Sequence, residues 1–422
     1  MKIISQIWTR FSRSEFTKNV SSQIVGTGMA QALPLLATPI LTRVFSEKDF
    51  ATYTSFFAFA TIFAVGVGAK YPMALVLPKE DSEAGKLFTL SIYITVLYSL
   101  SIAVFFLVFN NQLPQSLGLV SHFVPLYVLF FGIWTSFSNL SIRFKKFKDN
   151  AVAKVIQSLG YIVAALLLGL TKFTLYGLVL AKIIGTFISW LFLYKKSSVK
   201  MGLIEPAKLK GVAMEYIDYP KYGVVPAFLN TISSQALVLA ITKFYSIEDL
   251  GQFGLTYIVL SAPLALIGTS YKDVFYQRMA FLINAEDFNA ALKLFKKSAG
   301  ALFFLGLPIC AILYFMGEDI FGFIFGEKWI RAGEFAAILA FSFMIKLVVS
   351  PLSSIFNAAN KLKISSIWQT LYFVTTFLTL GICTFLFKCP INTLLYIYVI
   401  HELIIYTVYF LLQYRTLRKF GR

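Results

Sequence analysis

The stretches LTRVFSEKDF at 41–50 and ITKFYSIEDL at 241–250 lie 200 positions apart and read almost alike. Thr42 meets Thr242, Arg43 meets Lys243, Phe45 meets Tyr245, Ser46 meets Ser246 and Asp49 meets Asp249. At the same shift, Tyr53 meets Phe253 and Tyr71 meets Tyr271. Ser and Asp are common in turns, which accounts for single coincidences. A run of matches at one spacing is a different matter. The chain reads as a duplication.

What is duplicated follows from composition. Of 422 residues, 58% are hydrophobic and only 14% charged, against about 25% charged in a soluble domain. Phe alone occurs 44 times, more than a water-facing surface can hide. Apolar segments fall near 20–42, 51–69, 87–109, 120–142, 152–170 and 174–193, and again near 222–242, 252–270, 298–316, 333–356, 364–387 and 392–413. Each approaches the roughly 20 residues needed to cross about 30 Å of hydrocarbon. Lipid offers no partner to unpaired backbone groups, so each is expected to be a helix.

The expectation is an all-α integral membrane protein of about twelve transmembrane helices. The repeated stretch joins segment one to two, and segment seven to eight. Six segments separate the copies, an even number, so both face the same way. The halves 1–200 and 201–422 are therefore expected as two pseudo-symmetric six-helix bundles around a central lumen, the plan of transporters built from parallel repeats. Later segments match more weakly at a shift of 212, pairing Gln157 with Gln369, Leu159 with Leu371 and Gly169 with Gly381.

The formal net charge of +18 is spread over short clusters between the apolar runs, which excludes a basic nucleic-acid-binding domain. Counting Lys and Arg loop by loop puts about 29 of 38 on the side of the termini, so both termini are expected in the cytoplasm. Lys2, Arg10 and Arg13 precede an apolar run as in a signal peptide. That run is too long for one, and eleven similar segments follow, so no removable leader is expected. Loops on the far side are short, the longest being expected at 317–333. The cytoplasmic loop at 271–297 contains DFNAALKLFKK, which reads as an amphipathic helix resting on the headgroups. Cys310, Cys383 and Cys389 lack metal-ligand spacing and read as isolated thiols. No nucleotide-phosphate loop or metal cluster is present, so no cofactor is expected.

The stretch NVSSQIVGTGMAQALPLLATPILTRVFSEKDFATY at 19–53 resembles the opening of Wzx-type oligosaccharide flippases. These form the polysaccharide biosynthesis branch of the multidrug/oligosaccharidyl-lipid/polysaccharide exporter superfamily. The resemblance rests on Gln31, Pro34, the phrase Pro39-Ile40-Leu41-Thr42-Arg43 and the turn at 46–50. It implies a lumen that opens alternately to each side. It also implies undecaprenyl-diphosphate-linked sugar units as substrate, flipped across the bacterial inner membrane for O-antigen or a similar polysaccharide. Polymerase and chain-length proteins would then be partners, and proton or sodium coupling an option.

Lys182 and Lys346 stand midway along their segments, where a Lys costs about 2.5–3.5 kcal/mol on insertion scales. Each lies too far from its helix ends to snorkel, so both are expected to face the lumen. There they would give a diphosphate its counter-charge. Arg43 and Lys243 lie near the outer mouth. They read as interfacial anchors or partners of Asp49 or Asp249, with substrate contact as the second reading. Glu402 is the one acid clearly at membrane depth. It reads as a charge-pair partner for a lumen Lys or as a proton carrier, and neighbouring His401 has the intrinsic pKa of a switch. Amides such as Gln31, Asn139 and Gln157 suit sugar hydroxyls, and equally serve as interhelical glue.

Two other classes compete. A drug/cation antiporter of the same superfamily would need membrane acids for cation exchange, whereas this chain offers Lys. A membrane-integral glycan polymerase or acyltransferase would need a large outer loop or a reaction-centre base. The only histidines are His122 and His401.

Overall fold

The computed structural model describes residues 15–113, 115–118, 120–171, 174–197 and 209–420. The basic tail before Glu15 and part of the basic loop, 198–208, lie outside them. Among the described residues there is no strand. The chain forms α1 (Glu15–Val44), α2 (Glu47–Ala64), α3 (Asp81–Phe109), α4 (Phe123–Arg143), α5 (Phe147–Gly169) and α6 (Thr174–Lys196). Then follow α7 (Asp218–Phe244), α8 (Ile247–Pro263), α9 (Phe288–Phe325), α10 (Ile330–Leu352), α11 (Leu362–Gly381) and α12 (Ile391–Phe420). Among the described residues eleven helices are long and apolar enough to cross a membrane, and α2 with its continuation Val67–Ala74, bent by 46°, makes a broken twelfth. The chain is an all-α, multi-pass membrane protein.

Contacts divide the chain into two compact units. One takes the residues up to Ala37 with Ser55–Phe228, and the other takes Thr38–Thr54 with Leu229–Arg422. These bounds differ from the bare halves 1–200 and 201–422. The end of α1 and the start of α2 pack with the second unit, and the first turns of α7 pack with the first.

In the first unit, α5 and α6 run against each other so closely that a side chain at Gly185 would collide with the backbone at Gln157 and Tyr161. Ser158 donates to the Ala30 carbonyl at 2.6 Å, and Lys154 donates to Thr27 at 2.9 Å, which docks α1 on α5. An apolar cluster including Tyr71, Phe88, Phe137, Leu140 and Val212 closes one end of the unit. Arg143 tightens it by donating to the carbonyls of Leu75 and Pro78 while pairing with Asp81 at 2.8 Å. Span two was expected as one helix over 51–69. It breaks instead, with Gly68, Ala69 and Lys70 all left-handed.

In the second unit, α9, α10, α11 and α12 enclose an aromatic core in which Trp368 stacks on Tyr409 at 3.7 Å. Two expectations fail here. DFNAALKLFKK does not lie as a separate surface helix but forms the start of the 38-residue α9. Phe295 and Ala291 are fully buried, and Phe295 meets the ring of Phe410 on α12 at 5.2 Å. That protein packing replaces the headgroup surface. The long outer loop at 317–333 is likewise absent, because α9 runs on to Phe325. The chain reverses at Gly326, whose φ of +105° only glycine adopts at ease. The three cysteines are free, as read.

Candidate functional site

Both copies of the repeated stretch do the same local work. Ser46 and Ser246 each accept a hydrogen bond from the backbone N–H of Asp49 and Asp249, at 3.3 and 3.0 Å. These are N-caps, and the acids complement the positive helix ends. Asp49 also accepts from the Ser46 N–H at 2.8 Å, closing a reciprocal box. Arg43 and Lys243 end the preceding helices and are exposed. Arg43 donates to the Pro39 carbonyl one turn back, and Lys243 lies over Phe244 and Phe385. Neither takes the pairing weighed for it. Arg331 holds Asp249 at 2.6 Å, and Ser46 occupies Asp49.

The two copies meet inside the second unit. Gln252 donates to Glu47 at 3.0 Å, and Lys48 pairs with Glu248 at 3.6 Å. Gly251 rests on the Glu47 backbone and Gly254 on Thr54, so close that a side chain at either would overlap its neighbour. The α9–α10 turn binds them together. Lys328 donates to the Phe45 carbonyl at 3.0 Å, fully buried Trp329 to Thr42, and Gln252 to the Lys328 carbonyl. Lys328 and Arg331 stand in a short turn that the sequence does not single out. Nothing in their spacing from residue 45 or 249 announces the contact.

At mid-span, the structure brings Lys346 and Glu402 together and leaves Lys182 in the other unit. Lys346 on α10 reaches the fully buried Glu402 of α12 with an N–O distance of 2.7 Å. Tyr372 on α11 donates to Glu402 at 2.9 Å, and Lys346 donates to Tyr398 at 3.2 Å. His401 turns to Thr375 at 2.9 Å. The residues on α10, α11 and α12 thus neutralise one another, which settles two costly charges inside hydrocarbon. The tyrosines of this network carried no signal in a sequence with 22 of them.

Lys182 is different. Half-buried on α6, it lies eight residues from Thr174 and fourteen from Lys196, roughly 12 and 21 Å along the helix. Its ammonium stands 5.2 Å from the Phe57 ring centre and 5.8 Å from that of Tyr161. No described carboxylate pairs with it. Cation–π contact contributes about 0.5–2 kcal/mol, less than the penalty of placing the charge there. In the same unit the Gln31 carbonyl oxygen is buried without a hydrogen-bond partner. Gln157 on α5 donates to Thr186 on α6 and joins the two helices, whereas Asn139 donates to the Thr135 carbonyl one turn back on its own helix. Among the described residues no cluster suits a metal ion.

Comparison with known proteins places this arrangement. The family described as polysaccharide biosynthesis protein matches residues 40–334. Teichuronic acid biosynthesis protein TuaB of Bacillus subtilis (strain 168) is 20% identical over 156 residues. That match spans 37% of this chain and only 32% of the relative's own length. An inward-facing multidrug resistance MATE family transporter of the MOP superfamily superposes with a TM-score of 0.73 at 14% identity, over 93% of this chain and 95% of that one. Lipid II flippase MurJ in an inward closed conformation also superposes at 0.73, with 13% identity, over 92% and 86%. At such identities the structures speak for the fold alone. The family match covers well over half of the residues, and the chain belongs to the polysaccharide biosynthesis protein family, built on the fold of the MOP superfamily transporters.

Proposed function

We propose that this protein is a flippase that carries undecaprenyl-diphosphate-linked oligosaccharide, an O-antigen unit or a similar repeat, across the bacterial inner membrane by alternating access. The observation that carries the reading is Lys182, a mid-span ammonium held by Phe57 and Tyr161 with no described carboxylate partner. A diphosphate is the cargo such a charge favours, since each needs the other when both leave water. Gln31, with its buried carbonyl oxygen in the same unit, would accept from a sugar hydroxyl. A relative named for teichuronic acid biosynthesis and a fold neighbour named as a lipid II flippase support glycan export. Cation exchange would call on Glu402, which is committed to Lys346. That pair is charge pairing within the bundle. Proton or sodium coupling, through groups other than the Lys346–Glu402 pair, and contact with a polymerase or chain-length protein belong to the same reading.

Reconstitution tests it. Vesicles containing the purified chain and a fluorescent polyprenyl-diphosphate oligosaccharide should expose inner-leaflet label to an external quencher faster than empty vesicles. Equal rates, or efflux of a cationic dye in place of lipid flipping, would overturn the reading.

A further inference from the structure

The break in span two builds a second feature of the first unit. Its helix stops at Ala64, and Gly68, Ala69 and Lys70 follow with φ of 54°, 46° and 66°. A left-handed residue with a side chain costs about 1–2 kcal/mol, and here two stand in a row. Firm packing maintains them. Tyr71 is buried and donates to the Ala213 carbonyl at 2.9 Å, while Ala74 and Leu75 are fully buried. The result is that Lys70 and the first three turns of α7 border a hollow of about 510 Å³, lined also by Met73, Asp218, Tyr219, Tyr222 and Ala227.

The lining is mixed in a way that ordinary helix packing does not require. Gly223 has no side chain to fill the hollow, and the stem of Lys70 lies across it, with Cγ 3.6 Å from where a Cβ would stand. Tyr222 is 61% exposed and Met73 57% exposed. Since α7 begins at Asp218, the hollow sits at the end of a helix long and apolar enough to span a membrane, where a lipid headgroup would lie. It joins one ammonium, two phenol rings, one carboxylate and an apolar edge. The ammonium suits a phosphate, the rings suit the apolar faces of sugars, and the carboxylate accepts from hydroxyls.

We infer that the hollow between Lys70 and Tyr222 is a loading site for the phosphorylated sugar headgroup of a membrane lipid, engaged before the headgroup reaches Lys182. The inference rests on the flippase reading and adds to it a place where cargo is first held. Two cations, Lys70 at a span end and Lys182 at mid-span, would then be visited in turn by the same anion.

The test is binding by the full chain in phosphatidylcholine nanodiscs. The probes are polyprenyl-diphosphate-N-acetylglucosamine, which carries a diphosphate and a sugar, and phosphatidylglycerol, an anionic phospholipid with one phosphate and no sugar. Lys70→Gln should weaken the sugar-lipid about tenfold. Tyr222→Leu should weaken it at least threefold while leaving phosphatidylglycerol unchanged, and both variants should melt where the parent does. Lys182→Met should lose flipping yet keep binding. The inference is overturned if Lys70→Gln and Tyr222→Leu bind the sugar-lipid within twofold of the parent, or if phosphatidylglycerol binds as tightly as the sugar-lipid. It also falls if Lys182→Met abolishes binding, since the two sites would then be one. A parent chain that binds the probe but does not flip it would overturn the flippase reading and leave this site standing.

Discussion

Lys48 and Glu248 stand at equivalent places in the two copies of the repeated stretch, and their side chains pair at 3.6 Å. Thr54 and Gly254, also equivalent, touch one turn and a half farther on. When residues meet their own equivalents, a local two-fold axis runs between them, as at an isologous interface. The starts of α2 and α8 are therefore apposed about such an axis within the second unit. The α9–α10 turn locks them through Lys328, Trp329 and Arg331.

On the proposed alternating-access reading this apposition is the closed end of the cycle, and bridging it should then stop the cycle. The pair itself is exposed, 63% for Lys48 and 49% for Glu248, and contributes no more than about 1 kcal/mol. With native cysteines replaced by alanine, a Lys48→Cys/Glu248→Cys double variant should flip lipid within twofold of the parent. A short bis-maleimide should then link the two positions and abolish flipping. Mobility after cleavage between the halves reports the link. Full flipping by linked protein would refute the closed-end assignment.

The glycines at this contact should be intolerant. A Cβ at Gly251 overlaps the Glu47 backbone, whereas a Cβ at Gly300 on α9 meets nothing within 4 Å. Gly251→Ala should destabilise by about 1–3 kcal/mol. Gly300→Ala should be neutral or stabilising by up to about 1 kcal/mol. Thermal melts in detergent measure both, and equal melting points would contradict the packing described.

The Lys346–Glu402 pair should behave as a unit. Glu402→Gln alone leaves a cation buried beside Tyr398 and Tyr406 and should cost about 3–5 kcal/mol. Lys346→Met combined with Glu402→Gln should recover most of that loss. A double-mutant cycle on melting and on flipping separates charge pairing from ion coupling. Loss of flipping in the stable double variant would assign the pair a part in transport beyond structure.

The fold was legible because its determinants are regular. Apolar runs of span length mark the helices, and a single shift of 200 marks the duplication, down to the Ser-Asp caps. Gly169, matched with Gly381 at a shift of 212, ends its helix, whereas at Gly381 the helix runs on as a π-helical turn to Leu386. What stayed hidden depends on contacts far apart in sequence. Lys328 caps residue 45, Arg331 holds Asp249, and Phe295 packs on Phe410. Local hydropathy cannot tell a lipid headgroup from a buried protein face, so the amphipathic start of α9 was read as a surface helix. Nor does a Gly-rich stretch announce a three-residue left-handed turn, since Ala69 and Lys70 are ordinary helix formers. The paired fate of Lys346 and the unpaired fate of Lys182 look the same in sequence. Only placement separates them.

The central claim is that the ammonium of Lys182, which no described carboxylate pairs, carries the acidic headgroup through the membrane, and Lys182→Met tests it most directly. Methionine keeps the length and apolar stem, so the melting point should hold or rise. In vesicles, polyprenyl-diphosphate oligosaccharide flipping should fall roughly 10- to 100-fold, the loss of one charge-assisted contact. A Lys182→Met protein that melts like the parent and flips at the parent's rate would contradict the account.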